Sequence, residues 1–453
     1  MICDSSRMGL EEAFPGPSVL LGFTAKNARS FRDGVSLGLE AQTTANARVV
    51  RDVPWRDGNK TLRVLPSAGV FGPNGSGKSV LLKVMGDLRQ LVLSSFRNAD
   101  PIGPVERTPF LLSEASRQAP TEYEIDFIVG GIRHRYGCAV NDSEVLQEWA
   151  FRLPHGREQL LFNRTGMNVV LGPATRAEGR PAVPLLRPNA LFLSTAAATN
   201  HPVLLPLFAW FRRNLVLAEV ESRHLRHLVT VDALSDERTS SAAIALLQAA
   251  DLGISGAHRQ APDPETRERL RRVVAALYEG TGQTAPEGEL VIGDSVQLVH
   301  RGAEGDRRFS FEDESLGTLV WFGLIGTVLN ALRDGTCLLA DELDASLHPS
   351  LVRRFLAMFQ DPESNPNRAQ LVFNSHDSTL LDASGEYSLG RDQVWFTEKA
   401  PDGATTLQPL TDFSPRKNEA IGDRYRAGRF GGTPLVTHGE FVGAVESVVN
   451  PVA

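Results

Sequence analysis

The chain has 453 residues, 42% of them hydrophobic and 22% charged, and carries a formal net charge of −7. That balance suits a water-soluble protein of two or three units with a substantial core, and it excludes a surface that grips nucleic acid over its whole extent. Cys3, Cys138 and Cys337 stand far apart, which excludes a disulfide framework or a zinc site and points to a reducing, cytoplasmic setting.

Residues 1–18 read as a loose leader punctuated by Pro and Gly, without the basic, apolar and small-residue pattern of a secretory signal. Val19 to Gln42 predicts two short strands around a turn at Asp33–Gly34. "LPSAGVFG" (Leu65 to Gly72) is a short apolar strand running into a glycine-rich loop, and the residues from Lys78 to Phe96 continue as a helix. Between 107 and 165 two alternating strands meet at Gly130–Gly131, followed by a third around "EVLQEWAFRL"; 166–190 read as loop.

Apolar order resumes at Asn189. From about Glu219 to Gly280 the periodicity is mostly helical, without a sustained heptad. After Glu289 strands return, then helix, strand, helix and strand through Phe396. The longest apolar run, Leu319 to Leu332, spans about fourteen residues, too short to cross a bilayer. The expected division is a leader (1–18), a first lobe (19–218), a helical insertion (219–285) and a second lobe with a C-terminal extension (286–453).

Gly72, Pro73, Asn74, Gly75, Ser76, Gly77, Lys78 and Ser79 match GxxxxGK[ST] in the strand–loop–helix context that the motif requires. Glycines let successive backbone N–H groups face phosphate oxygens, and the helix N-terminus adds its positive dipole end. Lys78 is placed to reach the outer phosphates, and Ser79 to set a hydroxyl on Mg²⁺. "TCLLADELDASLHP" (Thr336 to Pro349) is an apolar strand ending in two carboxylates. Asp341 suits the magnesium shell, and Glu342 suits orienting or deprotonating an attacking water.

Asp341 lies 263 residues after Lys78, far beyond the compact interval of ring-forming AAA+ ATPases. Just before that strand, Glu314, Ser315, Leu316, Gly317 and Thr318 open an apolar helix, a second potential anion reader. A chain that already owns one phosphate loop has use for a second reader if it meets the ATP of another copy. "AQLVFNSHDSTLLD" (Ala369 to Asp382) ends a strand in Ser375–His376–Asp377, where His376 could hydrogen-bond a γ-phosphate or the attacking water.

Together these segments resemble the ABC-type ATPase heads of the Rad50/SMC class. More narrowly, they are similar to the single-chain AAA-family ATP-binding proteins of prokaryotic abortive-infection and related anti-phage systems. The resemblance covers about residues 19–436 and includes "NARSF" (Asn27 to Phe31), "ESLGT", "DASLHP", "FNSHD" and "YRAGRFGGTPLV" (Tyr425 to Val436). It implies an α/β fold, a P-loop ABC-ATPase (Rad50/SMC-like) head with a helical insertion, using ATP and Mg²⁺.

By the same resemblance Gly72 to Ser79 form Walker A, Ser315 and Gly317 a signature facing the other subunit's γ-phosphate, and Asp341 with Ser79 the metal ligands. Glu342, His376 and Lys78 are the catalytic set, Asp344 to His348 the dimer-facing D-loop, and Arg29 a neighbour of the nucleotide. The implied partners are a second copy of the chain through an ATP sandwich and a separately encoded effector such as a nuclease or toxin. Nucleic-acid contact is local or indirect, and no membrane is involved. The alternatives are an SMC/Rad50-like DNA-repair ATPase or a slow-turnover assembly module. No glutamine stands where the family links its lobes, Asn200 being the nearest stand-in, and the signature lacks the second glycine of transporter heads. "RAGRFGG", basic and glycine-rich, reads either as a partner or nucleic-acid contact or as a Gly-rich surface turn.

Overall fold

The computed structural model describes residues 18–42, 47–55, 60–97, 100–218, 223–250, 253–260, 295–382, 387–416 and 419–431, with the single positions 265, 442 and 445. In chain order, β1 (Val19–Lys26), β2 (Val35–Gly38), β3 (Arg51–Trp55) and β4 (Lys60–Val64) precede β5 (Ser67–Phe71) and α1 (Lys78–Ser94). There follow β6 (Thr121–Val129), β7 (Ile132–Val140), β8 (Val145–Leu153), β9 (Gln159–Thr165) and β10 (Asn168–Leu171). Next come α2 (Phe192–Ala198), α3 (Leu205–Asn214), β11 (Leu215–Ala218), α4 (Arg223–Ser235), α5 (Ser240–Ala249), β12 (Ile254–Gln260), β13 (Ser295–His300) and β14 (Arg307–Phe309). The last elements are α6 (Leu316–Asp334), β15 (Cys337–Ala340), α7 (Pro349–Gln360), β16 (Gln370–Asn374), β17 (Val394–Lys399), β18 (Thr405–Pro409) and α8 (Ile421–Arg426).

A seven-stranded antiparallel sheet, order β10-β9-β8-β7-β6-β1-β2, forms the first layer. Its strands alternate, so that Tyr123, Ile125 and Phe127 of β6 turn inward while intervening Glu and Asp side chains face outward. Gly130 (φ 58°) and Gly131 (φ 73°) make the tight turn between β6 and β7, a geometry that side-chain-bearing residues resist. Residues 166–190, expected to be loop, contain β10, which folds back on β9 through Gly166 at φ 55°. Short helical turns at Arg176–Gly179 and Arg180–Leu185 follow.

The second sheet has the order β11-β15-β16-β5-β17-β18, parallel throughout except for the edge strand β18. Here β5, β15 and β16 are buried along their whole length. They therefore read as short unbroken apolar runs, as parallel strands covered on both faces do. Their C-terminal ends lie side by side, which brings three distant segments to one edge of the sheet. The helix α1 packs with the first sheet in one hydrophobic core. The helices α6 and α7 pack over the parallel sheet in another.

The apolar run at Leu319 to Leu332 belongs to a longer helix than the sequence suggests: α6 has 19 residues and by length and composition alone could cross a membrane. In the fold it is a core helix. Gly326 lets α4 approach so closely that a Cβ there would lie 2.6 Å from the Thr230 backbone. The Thr230 hydroxyl accepts from Gly326 N (3.0 Å) and donates to Phe322 O (2.6 Å). Thus α4 and α5, read as part of an insertion, pack on α6. The stretch read as helical to Gly280 contains β12, which pairs antiparallel with β13. Cross-strand pairing decides a short polar segment that has no periodicity of its own. The rest of that reading (219–222, 251–252, 261–264 and 266–280) lies outside the described residues, as does the leader through residue 17.

One buried ionic knot ties α2 to the first sheet. Glu148, fully buried on β8, accepts from Phe192 N (2.5 Å), Leu193 N (2.9 Å) and the Tyr136 hydroxyl (3.1 Å). The Arg164 guanidinium lies 3.5 Å away and also donates to the carbonyls of Gly166, Arg187 and Pro188. Removing one member of a buried pair leaves the other charge uncompensated. We expect Glu148→Ala to cost about 3–5 kcal/mol, read as a lowered denaturation midpoint, and Glu148→Ala with Arg164→Met to cost less than the sum of the single changes.

Candidate functional site

The glycine loop leaves β5 at its C-terminal end and feeds α1. A side chain at Gly72 (φ 158°) would place its Cβ 2.4 Å from Thr397 Oγ1, and one at Gly77 (φ 108°) would meet Thr405 Oγ1 at 2.6 Å. Both positions therefore require glycine. Two threonines of the β17–β18 hairpin hold the loop from behind: the hydroxyls of Thr397 and Ser76 are 2.7 Å apart, and Thr405 Oγ1 donates to Ser76 O (3.0 Å). Gly77 caps α1 without a side-chain hydrogen bond, and the first turn carries no acid. A helix N-terminus of this kind suits an anion. Pro73, Asn74 and Gly75 form its outer rim, with Asn74 and Gly75 exposed.

Lys78 is 5% exposed, and its ammonium donates to Gly72 O (2.8 Å) and Pro73 O (3.0 Å). It lies 3.3 Å from His376 Nδ1. Burial pulls its pKa well below the ordinary lysine value, to about 8, with Asp344, Glu342 and Asp341 opposing that shift. Sequence-distant acids thus already act on the loop lysine.

Asp341 and Glu342 follow β15, and Ser375, His376 and Asp377 follow β16. Asn374, the last residue of β16, joins them: its amide Nδ2 reaches Asp341 Oδ1 at 2.5 Å and Ser79 Oγ at 3.2 Å. Its Oδ1 accepts from the Glu342 backbone N–H at 2.6 Å. Glu342 itself sits at φ 49° and Ser346 at φ 65°, so the acidic turn is conformationally costly and held by its surroundings. His376 N–H donates to Asp344 Oδ2 (3.0 Å), and the His376 side chain is exposed. Ser79 and Asp341 therefore converge on one point, a hard-oxygen pair that suits a divalent cation.

Ser315 caps α6 by accepting from Thr318 N (3.1 Å). A Cβ on Gly317 would lie 2.7 Å from Ser346 O, so the "ESLGT" turn rests on the acidic turn of its own chain. A cavity of about 190 Å³ between them is lined by Arg226, Leu316, Val320, Asp341, Glu342 and Ser346. No contact joins Ser315 or Gly317 to Lys78 among the described residues. The structure thus brings Gly72–Ser79, Asp341, Glu342 and His376 together, and rests Gly317 against Ser346 of the acidic turn.

Arg29, expected near the nucleotide, makes a two-pronged pair with Asp87 of α1 (both 2.7 Å). Asn200 takes a left-handed conformation (φ 55°) in the turn after α2. Sequence reasoning missed Asn374, Thr397 and Thr405. It also missed Tyr425, whose phenol is pushed up to about 12 by burial against a backbone hydrogen bond with Gly72. Tyr425 and Phe430 both stack on Phe396, at 5.3 and 5.4 Å. The "YRAGRFGG" segment is thus docked beside the phosphate loop as far as Gly431, and 432–441 lie outside the described residues.

A family model described as "AAA domain, putative AbiEii toxin, Type IV TA system" matches residues 67–382. Among solved structures, an Smc head bound to the C-winged helix domain of ScpA is similar at 14% identity and TM-score 0.39, covering 87% of this chain and 99% of that one. The SMC head domain from Thermotoga maritima is similar at 12% identity and TM-score 0.37, covering 86% and 98%. The Pyrococcus furiosus Smc head bound to the C-terminal domain of ScpA stands at 11% identity and TM-score 0.35, covering 88% and 98%. No curated protein matches.

Proposed function

The chain belongs to the AAA-domain family described as "putative AbiEii toxin, Type IV TA system" and is a P-loop NTPase; from that premise we propose that it is an ATP-hydrolysing switch whose two copies close on shared nucleotides. The observation that carries this reading is the meeting of Lys78 and Ser79, Asp341 and Glu342, and His376 at the C-terminal edge of three neighbouring parallel strands. Ligands of open α/β sheets bind at that edge.

In this reading the loop N–H groups and the Lys78 ammonium bind the outer phosphates. Ser79 and Asp341 hold Mg²⁺, which when bound supplies charge neutralisation at the phosphates. The Glu342 carboxylate accepts the proton of the attacking water, and His376, exposed beside Lys78, hydrogen-bonds on the γ-phosphoryl side. In this reading Ser315 and Gly317 meet the nucleotide of the second copy, a role supported by Gly317 resting against Ser346 of the acidic turn in its own chain. Hydrolysis then removes the γ-phosphate contacts that hold the two copies together. We assign the switch to control of a separately encoded effector in anti-phage defence on the strength of the family, and to the cytosol on the strength of its few, widely spaced cysteines.

A shared site has a sharp consequence. Lys78→Ala and Ser315→Arg proteins should each be inactive alone. An equal mixture should recover roughly a quarter of wild-type phosphate release, since half the dimers then contain one undamaged site. Failure of the mixture to recover, with both variants folded, would rule out the composite site.

A further inference from the structure

We infer that Asn374 is a positioning residue that couples the magnesium ligands to the orientation of Glu342, an inference that rests on the phosphate-loop hydrolase reading above. It is completely buried at the end of β16, between the strand that carries the phosphate loop and the strand that carries the acids. Four contacts fix it. Its amide nitrogen spans Asp341 Oδ1 (2.5 Å) and Ser79 Oγ (3.2 Å). Its amide oxygen receives Glu342 N–H (2.6 Å), and its main-chain carbonyl receives Leu343 N–H (3.3 Å).

The geometry explains why an amide stands there. The side facing Asp341 must donate, because a second acceptor would oppose the carboxylate; the side facing the Glu342 peptide must accept. Only a carboxamide of this length offers both from one rigid plane. Glu342 is held at φ 49°, a strained conformation for a side-chain-bearing residue that persists only where neighbours over-determine it. The bond from its N–H to Asn374 (2.6 Å) does so together with the bond from Ala345 N–H to the Glu342 carbonyl (2.9 Å). Asn374 thus sets where the Asp341 carboxylate and the Ser79 hydroxyl point, and in the same plane where the Glu342 side chain begins. A shift of the cation ligands is thereby transmitted to the base.

Two variants separate the donor from the acceptor. Asn374→Ala removes both; Asn374→Asp keeps the acceptor for Glu342 N–H and replaces the donor with a carboxylate beside Asp341. Mn²⁺ affinity measured by electron paramagnetic resonance, with a non-hydrolysable ATP analogue bound, reads the cation ligands without turnover. For Asn374→Ala we expect Mn²⁺ binding weakened about 10-fold and kcat lowered about 10-fold to 100-fold, with KM for ATP little changed. For Asn374→Asp we expect Mn²⁺ to bind more tightly than in wild type while kcat falls by a similar factor of about 10 to 100. A residue that merely fills space would not move the cation affinity of the two variants in opposite directions.

If both variants are folded and bind Mn²⁺ like wild type, the inference is wrong. If the wild-type protein binds the analogue with Mn²⁺ but never hydrolyses ATP, the hydrolase reading fails. The opposed metal affinities would then still decide the role of Asn374.

Discussion

Glu342→Gln protein should bind ATP with Mg²⁺ as wild type does, hydrolyse it about 100-fold to 10,000-fold more slowly, and accumulate as a dimer only when nucleotide is present. The substitution is nearly isosteric and leaves the Glu342 backbone N–H on Asn374, so the turn should keep its shape. What it removes is the carboxylate that can take a proton from water. The change leaves the loop in place, and with it two of the three carboxylates that act on Lys78, so binding should be retained.

Mass measurement with and without ATP–Mg²⁺, alongside phosphate release, checks both halves. A variant locked as a nucleotide-dependent dimer supports the closing switch, and its turnover defect assigns the base. A mass indifferent to ATP, with wild type still active, would make this a self-contained phosphate-loop enzyme. A nucleotide-dependent dimer whose wild-type form releases no phosphate would favour a slow assembly module.

The parts of this site that could be read from sequence are those whose chemistry demands fixed spacing along the chain. The phosphate loop needs its glycines at Gly72 and Gly77 because Thr397 and Thr405 press on them from behind, and the spacing survives in the motif. The threonines themselves lie more than 300 residues away, and nothing local marks them. Asn374 sits inside a stretch that was legible as a strand end, yet an amide at a strand end has no signature until β15 and β16 are known to be neighbours. The same holds for α4: its helical periodicity is plain, but its seat against Gly326 comes from a close approach that only the fold reveals. The sequence of "YRAGRFGG" leaves a surface turn and a partner or nucleic-acid contact equally open, and nothing local shows that Tyr425 and Phe430 anchor it on Phe396.

Lys78 yields a prediction with a definite sign in pH. In the free protein burial holds its pKa near 8, against the pull of three carboxylates. Phosphates beside the ammonium favour the charged form, so the nucleotide complex holds the proton more tightly than the free protein does. Affinity for ATP should therefore be full below about pH 8 and decline as pH rises through that value, by at most about tenfold per unit. Binding at pH 8.5–9 should take up a proton, which calorimetry in two buffers of different ionisation enthalpy would detect. Folding responds with the opposite trend. Between the folded value near 8 and the higher value of the unfolded chain, the unfolded state carries a proton that the folded state has shed. This one group then makes the nucleotide-free protein more stable as pH rises through that window, while ATP holds it less firmly. Lys78→Met should abolish the pH step along with about 100-fold or more of the affinity, since the loop loses its only side-chain cation. A dissociation constant that stays flat from pH 7 to 9.5 in wild type would mean that Lys78 keeps its proton throughout and is not the group that burial has tuned.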